Sequence, residues 1–123
     1  APTGNHNFTN GISWPASQPN CFAIGAVRPS AEIVHLDRHS KVALLVPAHA
    51  TSSSNAIVCG AVMVLREAIE QKNYKWKTNS NNLPEAMLAI MQQTGKPVTD
   101  PVTRLTFRRL DLLAALNYIY KGK

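Results

Sequence analysis

The stretch from His49 to Leu65, HATSSSNAIVCGAVMVL, places three serines at the start of an apolar run. Serine is a poor helix-interior residue and a good cap, because its hydroxyl can bond the free N–H groups of a first turn. One role for Ser52 is therefore structural. The other is nucleophilic: at a helix N-terminus, unpaired N–H groups converge where an attacked carbonyl would develop negative charge. A Ser52–His49 pair has the right side chains. Three residues across a turn, however, do not aim an imidazole at the hydroxyl, and nothing nearby orients it.

Other chemistries find less support. His6, His35, His39 and His49 lack zinc spacing, and no Cys-x-x-Cys is present. HLDRH reads as a turn, so its histidines are expected to face solvent. No glycine-rich cradle or Walker lysine is available for phosphate. Lys72, Lys75 and Lys77 interleave with Tyr74 and Trp76, a pattern that can bind single-stranded nucleic acid but also describes a solvated loop. The loop is the preferred reading.

The elements that must position Ser52 follow from apolar patterning. Residues 1–20, rich in Asn, Gly, Pro and Ser, read as loop. CFAIGAV (Cys21 to Val27) and KVALLVPA (Lys41 to Ala48) are short continuous apolar runs, the pattern of strands buried on both faces. AEIVHLD (Ala31 to Asp37) between them predicts a weaker strand or an irregular crossing. Ile57, Gly60, Ala61, Val64, Leu65 and Ala68 then fall on one helical face, and the almost uncharged first half predicts a helix surrounded by protein. Lys72 to Asn82 reads as loop. NLPEAMLAIMQQTG carries Asn82 at a cap, Pro84 and Glu85 in the first turn, and Gly95 as a stop. KPVTDPVTRLTFRR reads as a Pro-rich connection. LDLLAALNYIY forms a last helix whose apolar face is Leu112, Leu113, Leu116 and Ile119. Strand-to-helix order predicts an α/β domain.

At 123 residues, 45% of them apolar, the chain has the size and content of one domain with a sizeable core. No apolar run reaches the roughly 20 residues that cross a bilayer. Thirteen Lys and Arg against seven Asp and Glu leave +6, but the cations are scattered. Cys21 and Cys59, both in apolar contexts, are expected as buried free thiols. Asn7 to Thr9 (NFT) fits the glycosylation triplet, a weak motif.

Taken in order, APTGN, ISWPASQPNCFAIGAV, KVALLVPA, ATSSSNAIVCGAVMVL and RLDLLAAL resemble the C-terminal half of a subtilisin-like serine protease domain. That family has an A-x-G-N strand end, a YPA-type turn, a V-I-A-V-G-A strand and a D-L-x-A-P-G strand. G-T-S-M-A-T-P-H-V-A-G then opens its central helix. The resemblance covers almost all of the chain. It implies a three-layer α/β fold with a mainly parallel buried sheet flanked by helices. It also implies a serine endopeptidase segment, residues 1–123, in which Ser52 is the nucleophile and Asn5 donates its amide to the oxyanion. Ala1 and the substrate-binding residues Pro2, Thr3, Gly4 and Ser13 would match the walls of the pocket for the residue before the scissile bond.

The chain departs from the pattern in three ways. The family's D-S/T-G and H-G-T motifs do not occur, so the chain is expected to be one part of a larger catalytic domain, inactive without an N-terminal half that carries the Asp and His. Only AHAT separates Pro47 from Ser52, where the family has a longer excursion. Ala50, Ala56 and Ile57 stand where it carries glycine, proline and commonly histidine, and the lost glycine would matter if the approach to Ser52 needed a strained backbone. The alternative these changes open is a degenerate pseudoprotease that acts as a binding or scaffolding domain. The resemblance implies a peptide or protein substrate and no cofactor. Calcium stabilises many relatives, but its acidic loops are not recognisable here. Secretion is common in the family.

Overall fold

The computed structural model describes residues 1–30 and 32–121; Ala31, the first residue of the weaker strand candidate, lies outside the described residues. The elements in chain order are β1 (Ala23–Val27), β2 (Val34–His35), β3 (Val42–Pro47), α1 (Thr51–Gln71), a 3-10 turn (Trp76–Thr78), α2 (Leu83–Thr94), β4 (Lys96–Thr99), β5 (Thr106–Arg109) and α3 (Leu112–Lys121). The chain is α/β, as the order of apolar patterns predicts.

The five strands form one sheet in the order β2-β1-β3-β5-β4. β1 and β3 run parallel, with Ile24 opposite Leu44 and Val27 opposite Pro47. β3 and β5 are parallel at Leu45–Arg109. β2 and β4 are antiparallel to β1 and β5 respectively. The sheet is thus mixed, with a parallel centre and an antiparallel strand at each edge. A further parallel bridge, Pro2 to Ile24, places the first residues of the chain alongside β1.

Alternation along β1 and β3, with a register shift at Ala43 that turns Val42 and Leu44 to opposite faces, separates two apolar clusters. Ile24, Leu44 and Val46 pack with Val58, Leu65 and Ile69 of α1, Met87, Ile90 and Met91 of α2, and Ala115 and Ile119 of α3. All three helices therefore share one cluster. Val27, Val34, Val42 and Leu45 point the other way and pack with Val98 and Phe107 under Ile12 and Leu105, so loops cover that face. In place of a second helical layer, the described residues put loop there.

α2 begins and ends where its sequence signals lie. The Asn82 side chain accepts the Glu85 N–H at 2.9 Å, Pro84 sits in the first turn, and Gly95 is the C-cap. A Cβ on Gly95 would press on the Arg109 and Met91 carbonyls at 2.7 and 2.9 Å, so the helix–β4 junction also needs glycine for space. The connection predicted over Lys96–Arg109 is instead the β4–β5 hairpin, with Val98 and Phe107 turned inward. α1 is rotated from its predicted face. Ala61, Leu65 and Ala68 are buried as expected, with Val58 and Ile69, but Ile57, Met63 and Val64 are exposed, Met63 by 74%. In α3 the buried residues are Ala115 and Ile119, and Leu113 is 70% exposed. Cys59 is exposed and Cys21 half-buried, both as free thiols; Cys59 points away from the face that packs.

The long segment before β1 is pinned by one cation. The Lys41 Nζ donates to the Ala16 carbonyl at 2.6 Å and to the Cys21 carbonyl at 2.7 Å. Hydrogen bonds from charged donors contribute more than neutral ones, and removing the donor strands both acceptors. Lys41→Met, which keeps the stem, is therefore expected to cost about 2–3 kcal/mol in urea unfolding. A cost below ~0.5 kcal/mol would show that water replaces the ammonium there.

Candidate functional site

Ser52 is the second residue of α1 and is exposed. Ala50, before the helix, offers no side-chain cap, so the first N–H groups must find other acceptors. Ser53 N–H and Ser54 N–H bond the Ala50 carbonyl at 3.1 and 3.2 Å. Thr51 N–H donates across the fold to the Asn5 Oδ1 at 2.9 Å. Among the described residues, no acceptor is made for the Ser52 N–H, and its hydroxyl has no partner. A free N–H thus lies at the positive end of a 21-residue helix.

The three serines divide the work. The Ser54 hydroxyl, fully buried, donates to the Val46 carbonyl at 3.1 Å and ties the first turn of α1 to β3. Ser53 is exposed on the first turn. Only Ser52 combines an exposed hydroxyl with a free N–H. Ala50 has φ −143° and ψ 148°, extended backbone that any residue adopts, so the missing glycine introduces no strain at this approach.

Asn5 is joined to this turn by a compact network. Its Oδ1 accepts from both the N–H and the Oγ1 of Thr51, at 2.9 and 3.0 Å, across 46 residues of chain. Thr51 Oγ1 in turn accepts the Gly4 N–H at 3.0 Å. With Oδ1 committed, the Asn5 amide group is left as a donor on an exposed residue.

Asp37 and Arg38, adjacent on the β2–β3 connection, hold the loop that carries Asn5. The buried Asp37 carboxylate accepts the His6 and Phe8 N–H groups at 2.9 Å each and the Ser13 hydroxyl at 3.3 Å. Asn7 takes φ 62°, a conformation asparagine tolerates better than most residues. Arg38, also buried, donates to Asn7 Oδ1 at 2.7 Å, to the Leu36 carbonyl at 3.0 Å and to Asp100 Oδ2 at 2.8 Å. Burial alone would raise the Asp100 carboxyl. The Thr103 hydroxyl, the Val102 N–H and the Arg38 guanidinium outweigh it and hold the carboxyl below its usual range.

The other residues expected to wall the pocket lie at the strand end before Asn5 and on the loop beside it. Pro2 pairs with β1, and Thr3 is fully buried, bonded through its backbone to Ile24 and Ser13. Gly4 has φ +114°, and a Cβ there would collide with the Asp37 carboxylate and the Ser13 hydroxyl. Glycine is required at that strand end on both counts.

The histidines are not all solvent-facing. His6, His39 and His49 are exposed, but His35 is half-buried and its Nε2 lies 2.8 Å from the Ala48 carbonyl. Neither it nor His49 is hydrogen-bonded to Ser52. Tyr74 and Trp76 are half-buried and pack against the helical core, and the Lys77 ammonium lies 5.8 Å from the Trp76 ring centre. Among the described residues no three His, Cys, Asp or Glu gather as a metal site, and no helix is long and apolar enough to cross a membrane.

The sequence reading missed Thr51, Asp37, Arg38 and Asp100. A usable signal was present: charged Asp37 and Arg38 side by side between two apolar strands, where burial is expected and charge must be paired. Comparison of the chain with models of protein families, with curated proteins and with solved structures finds no match.

Proposed function

We propose that the chain is the nucleophile-bearing part of a serine endopeptidase of subtilisin-like architecture. One observation carries the reading: Asn5 and the Thr51–Ser52 turn, 46 residues apart, are locked together so that an exposed hydroxyl, a free N–H and a carboxamide donor share one helix end. Ser52 attacks the peptide carbonyl, and its own N–H with the Asn5 amide receives the oxyanion. Gly4, Thr3, Pro2 and Ser13 back that site. The parallel centre of the sheet, Pro2 with β1, β3 and β5, fits the middle of a larger three-layer parallel sheet of that kind.

The general base and its carboxylate come, in this proposal, from a polypeptide segment outside these residues. The exposed apolar face of α1, Ile57, Met63 and Val64, supports such a partner, because a lone domain gains nothing by presenting it to water. The test is labelling of the longest natural form with a fluorophosphonate probe, mapped by peptide mass spectrometry. Ser52 is expected to carry the label, and Ser52→Ala to abolish it. A folded protein with a histidine and an aspartate available but no label on Ser52 would leave a non-catalytic binding domain as the better reading.

A further inference from the structure

A second concave site lies beside the first. A pocket of about 360 Å³ opens between β2 and the loop that carries Asn5, and Arg28, His35 and Arg38 line it with Asn7, Ile33 and Val102. Its charge is one-sided. Asp100 and Asp37 are already engaged, and Glu32 is drawn off to Lys96 and Arg109 at 3.6 and 3.2 Å. Arg28 has no carboxylate partner among the described residues. Arg38 is 4% exposed; its Nε and Nη1 are bonded, while Nη2 makes no hydrogen bond among the described residues. A buried guanidinium with a spare donor in a pocket wall is poised for an oxyanion.

We propose that this pocket binds the carboxylate of an acidic side chain, with Arg28 and Arg38 donating to its oxygens and Ile33 and Val102 packing on its methylenes. The state of His35 agrees with a positive field there. Burial is the largest cause that keeps its imidazole below the usual range; the Ala48 bond opposes it, and Arg28, His49 and Arg38 act with burial. The position ties the pocket to Ser52. His35 holds the Ala48 carbonyl, four residues before Ser52 and so within about 14 Å of chain, and Asn7 is two residues beyond Asn5. If the peptidase reading holds, on which this part rests, the pocket selects peptides carrying Asp or Glu within about four residues of the scissile bond, since an extended chain advances roughly 3.3 Å per residue.

The pocket can be tested without proteolysis. Acetyl-glutamyl amide and acetyl-glutaminyl amide are titrated into the Ser52→Ala protein while backbone amide shifts of Arg28, Val34, His35 and Leu36 are followed by NMR. Saturable shifts are expected with the glutamyl probe and not with its neutral isostere. Arg28 is exposed, so Arg28→Gln leaves the fold intact, and it is expected to weaken binding about tenfold, the loss of one charge-assisted contact. Equal responses to the two probes, an undiminished response in Arg28→Gln, or a response to inorganic phosphate alone would overturn the proposal. Because the titration uses Ser52→Ala, an unlabelled Ser52 would count against the peptidase and not against the pocket.

Discussion

Arg38→Met is expected to lower stability by about 3–5 kcal/mol at pH 7, because it leaves a buried carboxylate without its cation. Arg38 is the joint between three parts of the fold: Nε reaches Asp100 before β5, Nη1 reaches Asn7, and its own N–H bonds the Phe8 carbonyl at 2.9 Å. Asp100 keeps the Thr103 hydroxyl and the Val102 N–H in the variant, but these dipoles do not replace a full charge. The double variant Arg38→Met with Asp100→Asn should lose less than the sum of the two single changes, since the unpaired charge is gone. Acid gives a second signature. In the native protein the Asp100 carboxyl sits below its usual range, so the folded state binds its proton less readily than the unfolded state. That stabilisation is fully present above the ordinary carboxylate range and is lost as pH falls from about 4 through the folded value. The gap between native and Arg38→Met proteins should therefore narrow below pH ~4. Urea unfolding at pH 7, 5 and 3 measures both effects. A loss under ~1 kcal/mol at pH 7, or a gap that widens in acid, would mean that solvent reaches the pair and takes over the role of the guanidinium.

Sequence and structure agree where the determinants are local. The bounds of α2 rest on a cap, a proline and a glycine within fourteen residues, so Asn82, Pro84 and Gly95 could be read directly. β1 and β3 are buried on both faces and needed no partner to declare themselves. The face of α1 was ambiguous for a physical reason: Ile57, Val58, Ala61, Val62, Met63 and Val64 surround the helix, and a moment cannot choose a side when nearly every side is apolar. β4 and β5 were hidden differently. Pro97 and Pro101 read as punctuation, yet Pro97 sits on the edge strand of the sheet, where a missing N–H is tolerated, and only pairing to β3 reveals the hairpin. The candidate site divides along the same line. Ser52 and Asn5 are candidates from motif order alone, whereas the clamp that holds the Asn5 loop joins residues 24 to 62 positions apart: Asp37 with Ser13, Arg38 with Asn7 and Asp100. No window of sequence contains such a network, because its members meet only after the sheet has formed.

Asn5 lets a structural role be tested apart from the proposed catalytic one, since Oδ1 is bonded to Thr51 and the amide donor is not. Oδ1 caps α1 by accepting from Thr51, and the amide donor is the group assigned to the oxyanion. Asn5→Asp keeps the acceptor and places a negative charge at a helix N-terminus, where it is favourable, so its stability should stay within about 0.5 kcal/mol of the native protein. Asn5→Ala removes the cap and should cost about 1 kcal/mol. For the chemistry the two should behave alike. Each lacks the donor, and the rate of fluorophosphonate labelling at Ser52, measured on the longest natural form, should fall by about 10²–10³, the range for oxyanion-hole donors in subtilisin-type enzymes. Thr51→Val is the third arm. It removes one of the two donors that orient the carboxamide and leaves the amide in place, so a partial loss of rate is expected. If Asn5→Asp instead labels at the native rate, Asn5 is a cap and nothing more. The oxyanion would then rest on the Ser52 N–H and the helix end alone, and the coupling of Asn5 to Thr51 would belong to the fold.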